Sequence, residues 1–181
     1  MSVWKIDSAH ANANFAVRHM MVSTVRGRLG KVEGELHFDP ENPNNASVEV
    51  SIDAATIDTG IVDRDNHLRS ADFLDVEKFP EIKFKSTKVK VTSDNEGKVY
   101  GDLTIRGVTR PAMLDVKYLG LSTNPMNDTQ TVGFEATTRI NREDWGLNWN
   151  LALETGGWLV GKDIKITLDV EAVPVTVAAN A

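Results

Sequence analysis

One stretch of the chain alternates strictly between apolar and polar residues: IKITLDVE, residues 164–171. Successive side chains of a β-strand point to opposite faces of the sheet, so this pattern predicts a strand with one buried face and one wet face. The same period of two recurs in five other segments, at residues 48–53, 81–85, 99–106, 114–118 and 131–140. The sequence therefore predicts a protein built mainly of antiparallel strands.

Several positions depart from the regular alternation. Glycines interrupt the segment at residues 27–38, which predicts bends or bulges in a strongly curved sheet. The apolar face changes parity after Phe84, which predicts a bulge near residues 86–88. Helical signals are weak and predict one short helix at residues 59–68, with Thr59 as its N-cap, and one further turn at residues 70–74, for which Ser70 is the alternative cap.

The number of strands sets the architecture. With an opening strand at residues 4–8 we expect eight or nine strands, and so many strands with so few helices require a sandwich or a barrel. Short connections rich in Pro, Asn, Asp and Gly favour strands that follow one another up and down. An eight-stranded barrel has an interior that side chains just fill or that holds one small ligand. Residues 1–173 are expected to form this single domain, and residues 174–181 a flexible tail.

Composition excludes several classes of function. The chain has 181 residues, no cysteine and a formal net charge of −6. Disulfides, thiolate metal sites and a cysteine nucleophile are therefore excluded, and the acidic balance argues against a nucleic-acid partner. No apolar run approaches the roughly 18 residues of a membrane span, so no integral membrane segment is expected. The first residues lack an apolar signal core, which predicts a cytoplasmic location for the chain as given and a periplasmic one if a signal was removed.

Histidines and carboxylates offer little catalytic chemistry. None of the four histidines has a second histidine at metal-ligand spacing, so no metal site is expected. His19 alternates with Phe15 and Val17, so it is either a hydrogen-bonded core residue or a polar contact at the mouth or floor of a pocket. The charged run at residues 63–69 comes without a nucleophile or oxyanion donors and is interpreted as a charge-paired cap. We expect no catalytic residue and no enzymatic activity.

Tryptophans cluster late in the chain. On an extended strand Trp145, Leu147 and Trp149 would share one face, and Trp158 follows among glycines. Because each aromatic ring buries about 150–250 Å², these rings need a deep apolar site. That site is either ordinary core or the wall of a cavity for an elongated apolar ligand.

A series of motifs in a specific order resembles the YceI-like family. The motifs are WKIDSAH (4–10), FAVRHM (15–20), IDTG (57–60), RDNHLRSADF (64–73), FPEIKFKS (79–86), GDLTIRGVT (101–109) and INREDWGL (140–147). Each motif is weak alone, but their order and spacing are specific, and the resemblance covers residues 3–172. It implies an all-β fold, an extended antiparallel eight-stranded lipocalin-like barrel with one or two short helices capping an end, and an apolar lumen.

The resemblance also implies a ligand. We expect a long-chain apolar molecule, a polyisoprenoid or a fatty-acyl lipid, bound in the lumen for storage, sequestration or transport, with no other cofactor and with a homodimer as one possible assembly. The alternative is a stress-related scaffold or interaction module without a lipid. The expected ligand-binding residues are Phe15, Val17, His19, Met20, Met21, Leu36, Phe38, Ile57, Arg64, Phe73, Phe84, Trp145, Leu147, Trp149 and Trp158.

Overall fold

Nine strands and one short helix are present in the computed structural model, which describes residues 1–175. The three short 3₁₀ helices are Pro43–Asn45, Ala54–Thr56 and Arg142–Trp145, and the α-helix α1 is Val62–Arg69. The strands are β1 (Ser2–Ile6), β2 (Asn12–His19), β3 (Ser23–Phe38), β4 (Ser47–Asp53), β5 (Glu81–Val91), β6 (Glu96–Ile105), β7 (Val108–Thr123), β8 (Gln130–Asn141) and β9 (Val160–Pro174). Within the described residues, no helix is long and apolar enough to cross a membrane.

Eight of these strands close into a barrel. From β2 to β9 each strand pairs antiparallel with the next, and β9 returns to pair with β2, for example through Phe15 and Ile166. The period of two predicted this arrangement because each strand buries one face and leaves the other wet. The predicted all-β, eight-stranded antiparallel barrel is confirmed, with one short α-helix and one extra strand.

The extra strand β1 continues the line of β2. Trp4 of β1 lies opposite Leu36 of β3 and Pro174 of β9, which are the same two strands that flank β2. Residues 7–11 leave the sheet between the two pieces. β1 and β2 therefore occupy the same position in the sheet, between β3 and β9, as two parts of one interrupted strand.

The connections between strands define two different ends of the barrel. At one end lie residues 39–46 and the β5–β6 turn, and we call residues 39–46 and 92–96 the mouth. At the other end lie two long connections, residues 54–80 with α1 and residues 142–159, and we call these together the closed end. The long connections belong to β4–β5 and β8–β9, so the two ends differ in how much chain covers them.

Of the local features predicted from the sequence, the bulge in β5 is confirmed and the N-cap of the helix is wrong. The bulge predicted near residues 86–88 is confirmed as a register shift between Ser86 and Lys88. The N-cap prediction is wrong: α1 begins at Val62 after Ile61, which makes no side-chain cap bond, and Thr59 instead donates hydrogen bonds to Asp65. Ser70, named as the alternative cap, accepts a hydrogen bond from the N–H of Asp72 at 3.3 Å.

Two further segments differ from the sequence-based picture. The strand assumed around Trp145 is wrong, because residues 142–145 form a 3₁₀ helix that ends at Gly146 in a left-handed conformation. In the predicted tail at residues 174–181, Pro174 ends β9 and the N–H of Val175 donates to the carbonyl of Val3. The remainder of that segment lies outside the described residues.

Candidate ligand-binding cavity

The inward faces of the strands surround a cavity of about 340 Å³. Cavities that hold small molecules commonly measure roughly 300–1,000 Å³ and are mostly apolar. Eight of the expected ligand-binding residues lie on its wall: Phe15, Val17, Leu36, Phe38, Ile57, Phe73, Phe84 and Leu147. The alternation of the strands brings Phe15, Val17, Leu36, Phe38 and Phe84 together, because every second side chain faces the lumen, and the two long connections supply the other three.

The cavity is elongated along the barrel. On β6 its wall runs from Gly97 at the mouth to Ile105 near the closed end, about 27 Å along the strand at the usual rise per residue. At Gly101 on the same strand an added Cβ would lie 2.5 Å from the ring of Phe84 and 2.4 Å from the carbonyl oxygen of Lys85. Because Gly101 has no Cβ, the Phe84 ring can pack directly against the backbone at this position.

The mouth opens the cavity to solvent. Pro40, Ser93, Asp94 and Glu96 lie on the cavity wall and are exposed. The 39–46 loop is held to the barrel by Asn44, whose Oδ1 accepts a hydrogen bond of 3.0 Å from the N–H of Val91. The mouth therefore carries acidic and neutral polar side chains at the opening of an apolar lumen.

Three aromatic rings pack together on the wall of the lumen. Phe38, Tyr118 and Phe134 have ring centroids 5.1–5.5 Å apart. Burial raises the pKa of the Tyr118 hydroxyl above its ordinary value. Tyr118 and Phe134 are not among the ligand-binding residues predicted from the sequence, although the alternation at residues 114–118 and 131–140 places both on the apolar face.

Apolar side chains of the closed end cover the other end of the lumen. Leu68 of α1 and the following Phe73 and Leu74 lie on the cavity wall. The rings of His67 and Phe73 pack edge to face, with centroids 5.0 Å apart, and the Trp149 ring lies 4.5 Å from His67 and 5.4 Å from Phe73. Trp149 thus supports the wall from behind without being part of it.

Charged side chains fix the closed end through backbone contacts. Arg69 donates from Nε to the carbonyl of Ala55 at 2.7 Å and from Nη2 to that of Ile57 at 2.8 Å. Arg64 donates to the hydroxyl and the carbonyl of Thr59 at 2.7 and 3.0 Å. The charged run that the sequence analysis interpreted as a cap therefore holds the chain that covers the lumen.

Asp65 is a buried carboxylate at the centre of this network. Its Oδ1 accepts the backbone N–H of Thr59 at 2.8 Å and the Thr59 hydroxyl at 2.6 Å. Burial by itself raises the pKa of Asp65, but the bonds from Thr59 and the charges of Arg69 and Arg64 outweigh it and hold that pKa below its ordinary value. Asp65 is therefore ionised at neutral pH, which suits a fixed structural acceptor.

One buried cation lies on the cavity wall, and the sequence analysis did not single it out. Arg142 is 2% exposed and donates to backbone carbonyls of residues 147–161. Its only signal in the sequence is its place between Asn141, whose side chain caps the 3₁₀ helix, and the acidic pair that follows. Periodicity does not identify it, because Arg142 comes directly after the last residue of β8.

The other expected ligand-binding residues lie off the cavity wall. His19 ends β2 and is half-buried, and Met20 and Met21 are exposed at the β2–β3 turn. Trp145 is buried and donates its Nε1–H to the carbonyl of Leu103 at 2.9 Å, whereas Trp158 is 51% exposed. Arg64 is committed to Thr59, as described above. A binding role for these residues stays a prediction.

One group of side chains outside the barrel could hold a metal ion. Asp7, His10 and Glu171 each offer an atom, and these atoms lie within 4.8 Å of one another, where residues 7–11 leave the sheet. His10 is exposed, and its Nδ1 lies 2.7 Å from Oδ2 of Asp7. That hydrogen bond raises the pKa of His10 and lowers the pKa of Asp7, so the geometry is that of a charge-assisted pair.

Comparison with known proteins identifies related chains. The model of the YceI-like domain matches residues 4–172. A UPF0312 protein of Staphylococcus aureus is 38% identical over 171 residues, which are 94% of this chain and 97% of that protein. A UPF0312 protein of Staphylococcus epidermidis is 39% identical over the same shares.

Solved structures share the fold. The YceI protein of Campylobacter jejuni has a TM-score of 0.74 and 27% identity, covering 88% of this chain and 90% of that one. BcnA of Burkholderia cenocepacia has a TM-score of 0.76 and 22% identity, covering 92% and 98%. A polyisoprenoid-binding domain from Saccharophagus degradans, implicated in plant cell wall breakdown, has a TM-score of 0.70 and 13% identity, covering 97% and 100%.

Proposed function

Because the chain belongs to the YceI-like family, we propose that it binds a long-chain apolar ligand, a polyisoprenoid or a fatty-acyl lipid, in the lumen of its barrel. The observation that carries the proposal is the elongated cavity of about 340 Å³, whose interior is walled almost entirely by apolar side chains. The likeness in fold to a polyisoprenoid-binding domain supports the same ligand class.

The energetics of such a cavity favour chain-like ligands. Each methylene removed from water contributes about 0.8 kcal/mol, which is roughly a fourfold gain in affinity. Affinity therefore rises with chain length until the chain fills the space between the closed end and the mouth. The exposed mouth leaves a route by which such a chain enters and leaves.

The proposed role is that of a non-catalytic container. Along the lumen the wall presents mainly aliphatic and aromatic side chains, which hold a chain, and its exposed acids Asp94 and Glu96 lie at the mouth. Storage, sequestration and transport are all compatible with this role, and so is a homodimer of such barrels. A stress-related scaffold that leaves the barrel empty is the alternative that the experiment below distinguishes.

Filling the lumen tests the proposal. Ala136 of β8 lies on the cavity wall, and its neighbour Thr137 is exposed on the outer face of the same strand. Ala136→Phe places a ring in the lumen, so we expect it to weaken binding of a C18 fatty acid and of a polyprenol at least tenfold. Thr137→Phe adds the same ring outside and should leave both affinities unchanged. Equal affinities in the two variants would locate binding elsewhere.

Native mass spectrometry of the freshly purified protein, followed by solvent extraction, gives the first measurement. A stoichiometric adduct with the mass of a long-chain lipid is the expected result, and the same spectrum reports whether the chain dimerises. A delipidated protein that takes up neither fatty acids nor polyprenols would favour the empty scaffold.

A further inference from the structure

Arg142 is held at the closed end of the cavity by main-chain oxygens. Its Nε donates to Gly161 at 2.8 Å, its Nη1 to Trp149 at 3.0 Å and also to Leu147, and its Nη2 to Val160 at 3.3 Å. A guanidinium has five N–H groups, so four of them have backbone acceptors. Within residues 1–175 the second N–H of Nη2 has no acceptor.

The charge of Arg142 has no counterion in the described part of the chain. No ion pair there includes Arg142, and the adjacent Glu143 is instead 3.2 Å from Lys162. A buried charge without a partner is costly, and a charged group perturbed by burial in a cleft is a candidate for a binding site. Burial lowers the pKa of Arg142 and the nearby charge of Glu143 opposes that change, yet an arginine stays protonated at neutral pH.

The position of this charge gives the lumen an electrostatic polarity. Arg142 lies on the cavity wall beside Leu147 and Val160 at the closed end, whereas Asp94 and Glu96 lie on the wall at the mouth. The charge of Arg142 is buried, so water screens it weakly, and the two acids are exposed, so water screens them strongly. An oxygen-bearing group therefore gains more at the closed end than at the mouth.

We propose that Arg142 anchors the polar end of the ligand, so that a long-chain carboxylate lies head-first at the closed end with its tail directed toward the mouth. This inference rests on the proposed function and names the ligand class of the same cavity. The carboxylate accepts the unpaired N–H of Nη2 and supplies the missing negative charge. Charge-assisted bonds of this kind are the strong ones among protein hydrogen bonds.

The apolar length of the lumen favours a carboxylate over a phosphate head. To reach Arg142 the head crosses most of the wall between the mouth and the closed end, where water cannot solvate a charge. A carboxyl group with an ordinary pKa near 4.3 can cross in its neutral form and ionise beside the guanidinium. A phosphate monoester carries about −1.5 to −2 charges at pH 7, so the same passage is far less favourable for it.

The orientation of the ligand is the decisive measurement, and it uses the unaltered sequence. Trp4 lies at the mouth end of the barrel, opposite Leu36 and Pro174, whereas Trp145 and Trp149 lie at the closed end. With 5-fluorotryptophan in the protein, stearic acid spin-labelled at carbon 5 should broaden the fluorine signals of Trp145 and Trp149. The label at carbon 16 should instead broaden the signal of Trp4. The reverse pattern would overturn the anchor.

Head-group preference gives the second measurement. We expect stearate to bind at least tenfold more tightly than octadecane of the same chain length, with octadecanol between them. In Arg142→Met the ratio of stearate to octadecane affinity should fall toward one. Arg139→Met, which removes an exposed arginine from β8 just before Arg142, should keep the ratio. Should Arg142→Met fail to fold, the orientation measurement still decides.

The possible outcomes distinguish a failure of the Arg142 anchor from a failure of the proposed lipid-binding function. Binding of all three C18 molecules with equal affinity, or with the head at the mouth, would overturn the anchor and keep the lipid-binding barrel. Binding of none of them would contradict the proposed function itself.

Discussion

The two ends of the barrel are built by different means. The closed end consists of two long connections whose arginines and Asp65 bond to backbone atoms, and Asp65 and Arg142 are buried there. The mouth consists of shorter loops with exposed side chains, which are held to the barrel by the hydrogen bond from Val91 to Asn44 and by the N–H of Tyr118 donating to the carbonyl of Asn95 at 2.8 Å. This difference teaches that hydrogen bonds from charged side chains are concentrated where the lumen ends, whereas the loops of the other end are exposed to solvent.

The largest effect is expected at the closed end. Asp65→Ala removes a buried acceptor from Thr59 and a counter-charge from Arg64 and Arg69, so we expect a loss of about 3 kcal/mol in the free energy of unfolding. Urea denaturation measures it. Asp63→Ala in the exposed first turn of α1 is the control and should cost no more than about 1 kcal/mol. If the two variants lost equal free energy of unfolding, the hydrogen bonds of Asp65 would contribute no more than an exposed carboxylate on α1.

The β2–β3 turn, which lies next to the closed end through the hydrogen bond from the N–H of Met20 to the carbonyl of Leu159, is expected to gain stability on substitution. Met20 and Met21 both have left-handed backbone conformations, with φ of 51° and 62°, in the three-residue connection between β2 and β3. They are the central residues of a β-turn in which the N–H of Val22 donates to the carbonyl of His19 at 3.2 Å, and two positive φ values at these positions favour Asn-Gly. Replacing them by Asn and Gly should raise the free energy of unfolding by about 1–2 kcal/mol. Met126→Gly, in a mouth-end loop where that methionine has no positive φ, should give no gain; a gain there would point to a cause other than backbone strain.

At the mouth, kinetics should change more than stability. Asn44→Ala removes the acceptor of the Val91 N–H and should cost about 1 kcal/mol of unfolding free energy. Because that bond ties the 39–46 loop to the barrel, the dissociation rate of a bound fatty acid should rise in stopped-flow measurements. An unchanged dissociation rate would indicate that ligand exchange does not use the mouth.

The smallest effect concerns the pair of Asp7 and His10. The hydrogen bond raises the pKa of His10 above its ordinary 6.5 and lowers that of Asp7 below 3.8. The stabilising effect of His10 is complete below pH 6.5 and disappears as the pH rises through the pKa of His10 in the folded protein. The stabilising effect of Asp7 is complete above pH 3.8 and disappears as the pH falls through the pKa of Asp7 in the folded protein. NMR titration of the His10 ring should show this, and Asp7→Asn should return the pKa of His10 toward 6.5.

The sequence predicts the strands and most of the cavity wall for a simple physical reason. Alternation is a local property, so residues such as Phe15 and Phe84 can be assigned to the lumen from their own strands alone. The closed end depends on contacts between residues far apart in the chain, such as Arg142 with Gly161. Neither the role of Arg142 nor the irregular path after it follows from a period of two.

The interrupted strand formed by β1 and β2 has a consequence for how the molecule avoids aggregation through its strand edges. β3 and β9 are 16 and 15 residues long, whereas β2 has 8, so half of each long strand would have an unpaired edge without a ninth strand. Unpaired edges are templates for joining to the strands of other molecules. β1 occupies that edge through Trp4 and its neighbours. The five residues of β1 thus close the gap between β3 and β9, which keeps a ligand from leaving the lumen between these strands and keeps their edges from pairing with other molecules.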